Sequence, residues 1–237
     1  MGNVGEKLKA ENANWNFGGE TCQDFDEHVI KSVPLYEEGH ELICQLSDYF
    51  VKNDSVVYDI GCSTASLLNK LADHNKNKKD VCWRGIDQQQ EMVEFATLAV
   101  KANSNIEISQ SNINECVLES SDMIISYYTM QFIHPSVRQD IINMIYESLN
   151  WGGAFVIFEK VRGNDARFQD LLTGLYTEYK LKNGYGAEEI LNKQRSLKGI
   201  LEPFSTEGNI DLFKRAGFQD IISISKFICF EGFLCIK

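Results

Sequence analysis

The stretch Val56-Val57-Tyr58-Asp59-Ile60-Gly61-Cys62-Ser63-Thr64-Ala65-Ser66 decides the fold class. Its first five residues form a short apolar strand, which ends at Gly61. Residues 62–65 are small. Beyond them Ser66-Leu67-Leu68-Asn69-Lys70-Leu71 has a helical period, opened by Ser and Thr of the cap type. A strand that turns through small residues into a helix lets backbone approach a bound ligand closely. Only one glycine of the dinucleotide fingerprint is present. The stretch therefore reads as a turn for a nucleotide-like cofactor or as a plain strand-to-helix turn. Asp59 reads as a cofactor contact or as a carboxylate capping nearby N–H groups.

The same alternation continues outward. Strands are expected in VCWRGID, IEISQSNI, DMIISYYTM and AFVIFEK, with helices in QQQEMVEFATLAVKAN and PSVRQDIINMIYESLN between them. Pro135 opens the last of these helices, and Trp151-Gly152-Gly153 breaks the chain after it. Short strands separated by helices of this length make βαβ units and a parallel sheet. Ser205-Thr206-Glu207 caps a helix that stops at Gly217. FQDIISISKF and ICFEGFLCIK follow with a connection so short that they must pair antiparallel. The expected fold is α/β: a Rossmann-like, doubly wound, seven-stranded and mostly parallel sheet with an antiparallel last strand. Residues 161–203 are an insertion after strand five, read as two helices around Asn183-Gly184-Tyr185-Gly186. They stand at the strand end where such sheets hold ligands, so they are expected to form a lid.

Composition narrows the function. A domain takes roughly 100–200 residues, so 237 residues suit one large domain, assigned here to 25–237 behind a mobile tail over 1–24. Trp15 and Phe17 of that tail would suit lid anchors. The N-terminus has no apolar core of a signal peptide, and Glu6 spoils the likeness of Met1-Gly2 to an acylation motif. No run reaches the ~20 apolar residues of a membrane span. A formal charge of −11 disfavours nucleic acid as a direct partner and leaves a small molecule. Seven scattered cysteines without a CxxC pair argue against disulfides and zinc and for a reducing, cytoplasmic setting. Cys82, Cys229 and Cys235 lie in apolar runs and are expected to be buried.

Further candidates stand at the strand ends. Asp87 ends the second strand and could accept both hydroxyls of a ribose, or cap the next helix. Asn112, with Ile113 beside it, ends the third strand and could bond the amine of adenine. Tyr127 and Tyr128 end the fourth, where they line a pocket or fill core. His134, before Pro135, reads as a catalytic base or as a helix cap.

Together these residues resemble the class I S-adenosylmethionine (SAM)-dependent methyltransferases from about Ser55 to the end. A closer resemblance covers nearly the whole chain from Phe25. Ser32-Val33-Pro34-Leu35-Tyr36, Tyr58-Asp59-Ile60-Gly61-Cys62-Ser63, Thr129-Met130-Gln131-Phe132, Gly152-Gly153-Ala154, Glu159-Lys160 and Asn183-Gly184-Tyr185 are similar to the carboxy-SAM synthase family. The resemblance implies that prephenate donates a carboxyl group to SAM, for wobble-uridine modification of tRNA. It implies SAM contacts at Tyr36, Gly61, Cys62, Ser63, Asp87 and Gln88, and a homodimer; Asp59, Asn112, Ile113 and Tyr127 are further candidate cofactor contacts, and Arg195, Gln194 and Tyr185 candidate substrate contacts. Asn112 stands where the family has aspartate, Tyr127 where it has asparagine, and Gln194 where it has the carboxylate-binding arginine. Gln194 carries no charge, and Arg195 is ~100° further round the helix. Lys193 and Arg195 are expected on a solvated face unless Arg195 swings in. The first reading is therefore a SAM-dependent methyltransferase of a small-molecule acceptor, with Tyr128, Glu159 and His134 as candidate catalytic groups. The alternatives are carboxy-SAM synthesis and a non-catalytic SAM-binding scaffold.

Overall fold

The computed structural model describes residues 21–237, with side chains from Phe25 onward. The tail's first twenty residues, with Trp15 and Phe17, lie outside the described residues. The described backbone is already helical from Thr21, so the last four residues of the expected tail belong to a helix.

Two helices, α1 (Thr21–Ser32) and α2 (Tyr36–Phe50), precede the sheet. Then follow β1 (Val56–Ile60), α3 (Ser66–His74), β2 (Cys82–Asp87), α4 (Gln90–Ala99) and β3 (Ile106–Gln110). The second half runs β4 (Ser121–Tyr127), α5 (Pro135–Ser148), β5 (Leu149–Lys160), α6 (Ala166–Lys182), α7 (Ala187–Ser196), α8 (Thr206–Ala216), β6 (Asp220–Phe227) and β7 (Phe230–Ile236). The strands form one seven-stranded sheet in the order β3-β2-β1-β4-β5-β7-β6. Pairing is parallel from β3 to β5, and β7 runs antiparallel between β5 and β6. This is the Rossmann-like mixed sheet expected, with α6 and α7 in the insertion.

Side chains alternate across the sheet, so each strand serves two cores. Val57, Trp83, Ile125, Val156 and Phe158 pack under α2 and α3, whereas Tyr58, Ile124, Phe155 and Phe233 pack under α5 and α8. Apolar burial on both faces explains why the strands lack a polar alternate position.

The structure corrects three local readings. Trp151-Gly152-Gly153 does not end the pairing: β5 runs through it, and a register shift between Ser121 and Met123 absorbs the irregularity. No side-chain cap opens α3: its N-cap is Ala65, and the Thr64 hydroxyl instead donates to Asp26 on α1 at 3.0 Å. Cys82 is exposed at the first position of β2, although Cys229 and Cys235 are buried. Among the described residues the cysteines are free, no His/Cys/Asp/Glu group suits a metal, and no helix is long and apolar enough to cross a membrane.

Candidate functional site

The sheet order reverses between β1 and β4, and a cavity of about 700 Å³ opens beyond their carboxyl ends. That crevice is the ligand position of open α/β sheets.

Its first wall is the turn after β1. Gly61, Ser63 and Ala65 have φ of 75°, 52° and 60°. A Cβ on Gly61 would stand 2.2 Å from Thr129 Oγ1, so only glycine fits there. The Gly61 and Cys62 N–H groups both donate to the Ile86 carbonyl, at 2.7 and 3.1 Å. Asp87 fixes the next residue: one carboxylate oxygen accepts from Ser63 N–H at 3.0 Å, the other from Gln89 N–H at 2.9 Å. Both oxygens keep a further lone pair for ligand hydroxyls. Burial raises the Asp87 pKa, and the N–H groups of Gln89, Ser63 and Gln88 oppose the rise.

Asp59 lies deeper, with Oδ1 buried and unpartnered. Burial, and then the charge of Asp87, push its pKa up to about 7. A buried polar atom without a partner marks a place for a ligand donor. Gln88, Asn112 and Ile113 complete this side of the cavity. The Asn112 side chain accepts from Asn114 N–H at 3.1 Å and caps a short 3-10 turn.

An aromatic group forms the floor. Tyr36 stands 4.7 Å from His40 and 5.0 Å from Tyr127, and Tyr127 stands 4.7 Å from Tyr128. The Tyr127 hydroxyl donates to the Tyr36 carbonyl at 2.6 Å. It fits only because residue 39 is glycine: a Cβ there would meet the Tyr127 oxygen at 2.1 Å. Tyr128 has φ of 60°, a costly conformation for an aromatic residue and one that clusters at functional sites. Burial holds His40 neutral, with its pKa lowered to about 3 by desolvation and the charge of Lys70.

The insertion and α1 supply the opposite wall. Lys160, Leu172, Tyr176, Lys180, Lys193 and Gln194 all line it. Helix α1 straps the walls together. Tyr185 Oη donates to the His28 carbonyl at 3.1 Å, Asn183 to the Lys31 carbonyl at 3.1 Å, and Tyr176 to the Ser32 carbonyl at 2.9 Å.

All ten residues expected to contact the cofactor line this cavity, as do Tyr128, His134 and Gln194. Three candidates do not. Glu159 is 1% exposed on the sheet face toward α5, and is absent from the lining. Burial raises its pKa to about 8, while the charge of Arg138 opposes the rise. Tyr185 sits behind the wall and braces α1. Arg195 is exposed and points off the lining stripe of α7, which carries Lys193 and Leu197. His134 does line the cavity, but at its exposed mouth. Its Nδ1 accepts from Ser136 N–H at 3.3 Å as the cap of α5. The solvated reading of Lys193 is overturned: it faces the cavity with Nζ 2.9 Å from His28 Nε2. A signal was present, since Lys193, Leu197 and Leu201 share one helical stripe, and an apolar stripe faces inward. His28, His40, Tyr176 and Lys180 were missed because nothing local in the sequence distinguishes them.

A methyltransferase-domain family model matches residues 57–153. The carboxy-S-adenosyl-L-methionine synthase of Campylobacter lari is 35% identical over 224 residues, covering 94% of this chain and 94% of its own. That of Staphylococcus epidermidis is 34% identical over 224 residues, covering 94% and 97%. Among solved structures, human N-acetylserotonin methyltransferase in complex with SAM matches with a TM-score of 0.62 at 17% identity, covering 91% of this chain and 55% of that one. A SAM-dependent methyltransferase from Aquifex aeolicus gives 0.61 at 15%, covering 93% and 99%. These two show the shared fold.

Proposed function

The chain belongs to the carboxy-S-adenosyl-L-methionine synthase family, and from that premise we propose that it moves a carboxyl group from prephenate to the methyl carbon of SAM, where the new C–C bond replaces a C–H bond, while prephenate loses carbon dioxide and hydroxide to become phenylpyruvate and the hydroxide leaves with the methyl proton as water. It is a SAM-using transferase enzyme, so the scaffold reading falls away. The observation that supports the finer reading is the two-walled cavity: a cofactor turn on one side and a cationic second wall on the other, in one continuous space.

The residues present fit SAM. The Gly61–Ala65 turn gives the close approach, and the unpartnered Asp59 oxygen awaits a donor. Asp87 would take the ribose hydroxyls, Asn112 and Ile113 the adenine, and Tyr36 with Tyr128 the sulfonium end. An aromatic face attracts a cation within about 6 Å by its quadrupole. When bound, SAM supplies an activated one-carbon group. The protein's part is to hold two small molecules in register and keep water out, which saves the entropy of bringing them together. No side chain is assigned as a base. Tyr128 is the candidate inside the cavity, and burial drives its phenol well above the ordinary value, so it acts as a hydrogen-bond donor. The carboxylated product would then serve tRNA wobble-uridine modification, carried out elsewhere.

Incubation with SAM and prephenate, followed by mass spectrometry, tests the proposal. The expected product is SAM heavier by one carbon dioxide. Unchanged SAM at full occupancy would overturn it. The second reading, methyl transfer to a small acceptor, is favoured by Gln194 and Tyr127, which stand where the family resemblance implies arginine and asparagine. S-adenosylhomocysteine with a methylated acceptor would establish it.

A further inference from the structure

Residues between β4 and α5, from Tyr128 to His134, line the cavity, and their path is fixed from behind it. Tyr128 leaves β4 with φ of 60°, and Met130–Phe132 form a 3-10 turn. An aromatic residue stays in a left-handed conformation only where its surroundings over-determine it. Gln131 supplies the first constraint. Its Nε2 donates to the Tyr128 carbonyl at 3.1 Å, and its Oε1 accepts from Lys160 N–H at 2.8 Å. One partner is a carbonyl and the other an N–H, so only one orientation of the amide satisfies both. Gln131 is 6% exposed, and it joins the end of β4 to the end of β5.

Arg138 supplies the second constraint. It is the fourth residue of α5, near the end where the helix dipole disfavours a cation, and it is 1% exposed. Its guanidinium reaches back along the chain. Nε donates to the Ile133 carbonyl at 2.7 Å, and Nη2 to the Gln131 carbonyl at 3.2 Å. Cζ stands 4.5 Å from the centre of the Phe204 ring, a cation–π contact. Glu159 and Glu202 offer the opposing charge. Glu159 thereby gains a place off the cavity: its carboxylate faces Arg138 and the N–H groups of Gln131 and Met130.

The same group holds both roots of the insertion. The chain leaves the sheet at Lys160, bonded to Gln131, and returns at Glu202, whose N–H donates to the Gln131 carbonyl at 3.0 Å. Arg162 N–H then donates to the Phe204 carbonyl at 2.9 Å. A buried charge network is weak evidence for stability, because apolar residues of similar volume often serve as well. What this network adds is placement: it fixes where Tyr128 stands relative to the insertion.

We propose that Gln131 and Arg138 are positioning residues, which hold Tyr128 in its left-handed conformation and tie it to both roots of the insertion. The inference rests on the reading that SAM binds beside Tyr128.

The test follows the Tyr128 ring in the full chain. In NMR spectra of protein carrying ring-labelled tyrosine, the Tyr128 signal is the one lost in Tyr128→Phe. In wild type it should show Overhauser contacts to Tyr127 and Phe230, whose ring centres lie 4.7 and 5.7 Å away. Gln131→Met and Arg138→Met are expected to shift the signal and weaken those contacts. Phe213→Leu, a fully buried change on α8, is expected to preserve both. Should Arg138→Met fail to fold, Arg138→Lys, which keeps the charge without the fork, takes its place with the same expected shift. Calorimetric titration with SAM adds a double-mutant cycle. Gln131→Met should weaken SAM at least about tenfold, and the loss should vanish in a Tyr128→Leu background, where the positioned ring is gone. An unmoved Tyr128 signal in both variants, or a loss of SAM affinity that persists undiminished beside Tyr128→Leu, would overturn the assignment. A moved ring with SAM affinity unchanged, or in a protein that binds no SAM, keeps the positioning role and removes the reading that SAM lies beside Tyr128.

Discussion

The two ends of the cavity are built by opposite rules. The end proposed to hold SAM is acidic, carrying Asp59 and Asp87, and comes from consecutive strand ends of the sheet. Backbone geometry defines it: left-handed φ at Gly61, Ser63 and Ala65, and N–H groups aimed at Asp87. The far end is basic, carrying Lys160, Lys180 and Lys193, and comes from a strand end and two helices of an insertion. Side-chain charge defines it, and its backbone is ordinary strand and helix. A site made of backbone tolerates little substitution, because neighbouring atoms leave no room. A site made of side-chain charge is easily retuned, which is how one sheet can accept different second substrates.

The sharpest way to break this contrast is at the turn. Gly61→Val adds a side chain at positive φ against Thr129, and should cost about 3 kcal/mol or more and abolish measurable SAM binding. Thermal unfolding and calorimetry with SAM check it. A well-bound, stable variant would mean that the turn is not backbone-limited.

Next comes the junction of the two ends. Gly39→Ala drives a methyl into the Tyr127 hydroxyl and should destabilise by about 1–3 kcal/mol, despite the better helix propensity of alanine. In a Tyr127→Asn background the same change should become neutral or stabilising. A double-mutant cycle in denaturant measures that coupling.

Charge at the far end predicts a pH signature. Lys180 has its pKa lowered from 10.5 to about 8, so between those values the folded protein has released a proton that the unfolded chain still holds. Stability therefore rises with pH across that window. Lys160, Cys229 and the Tyr176 ring face Lys180, and Lys193 adds its charge to the same cluster. Relative to Lys180→Met, wild type should gain about 1–3 kcal/mol from pH 8 to 10, read from unfolding midpoints of both proteins. A pH-independent difference would show that Lys180 is paired.

The smallest effect sharpens the assignment. Arg195 is exposed and off the lining stripe, so Arg195→Ala should change stability by less than about 0.5 kcal/mol. It should also leave SAM titration unchanged. A clear loss of affinity would show that Arg195 swings inward.

The sequence by itself determined the sheet and the turn that walls one end of the cavity. Strand, small-residue turn and helix are contiguous in 56–66, and Asp87 and Asn112 stand at the next two strand ends. Parallel topology brings such ends together, so their order along the chain is their order in space. Only the tertiary structure decided the far end. Lys160, Lys180 and Lys193 are separated by helices, and a lysine in a helical segment looks the same whether its stem leads to water or to a cavity. Which way each points depends on how α6, α7 and α1 pack on one another, through contacts such as Tyr185 with His28 and Tyr176 with Ser32. The same holds for Glu159, whose position on a strand fixed its alternation but not the face toward which the cavity opened. Local pattern encodes geometry that the backbone makes with its neighbours in sequence, whereas charge brought together across elements is encoded only in the packing.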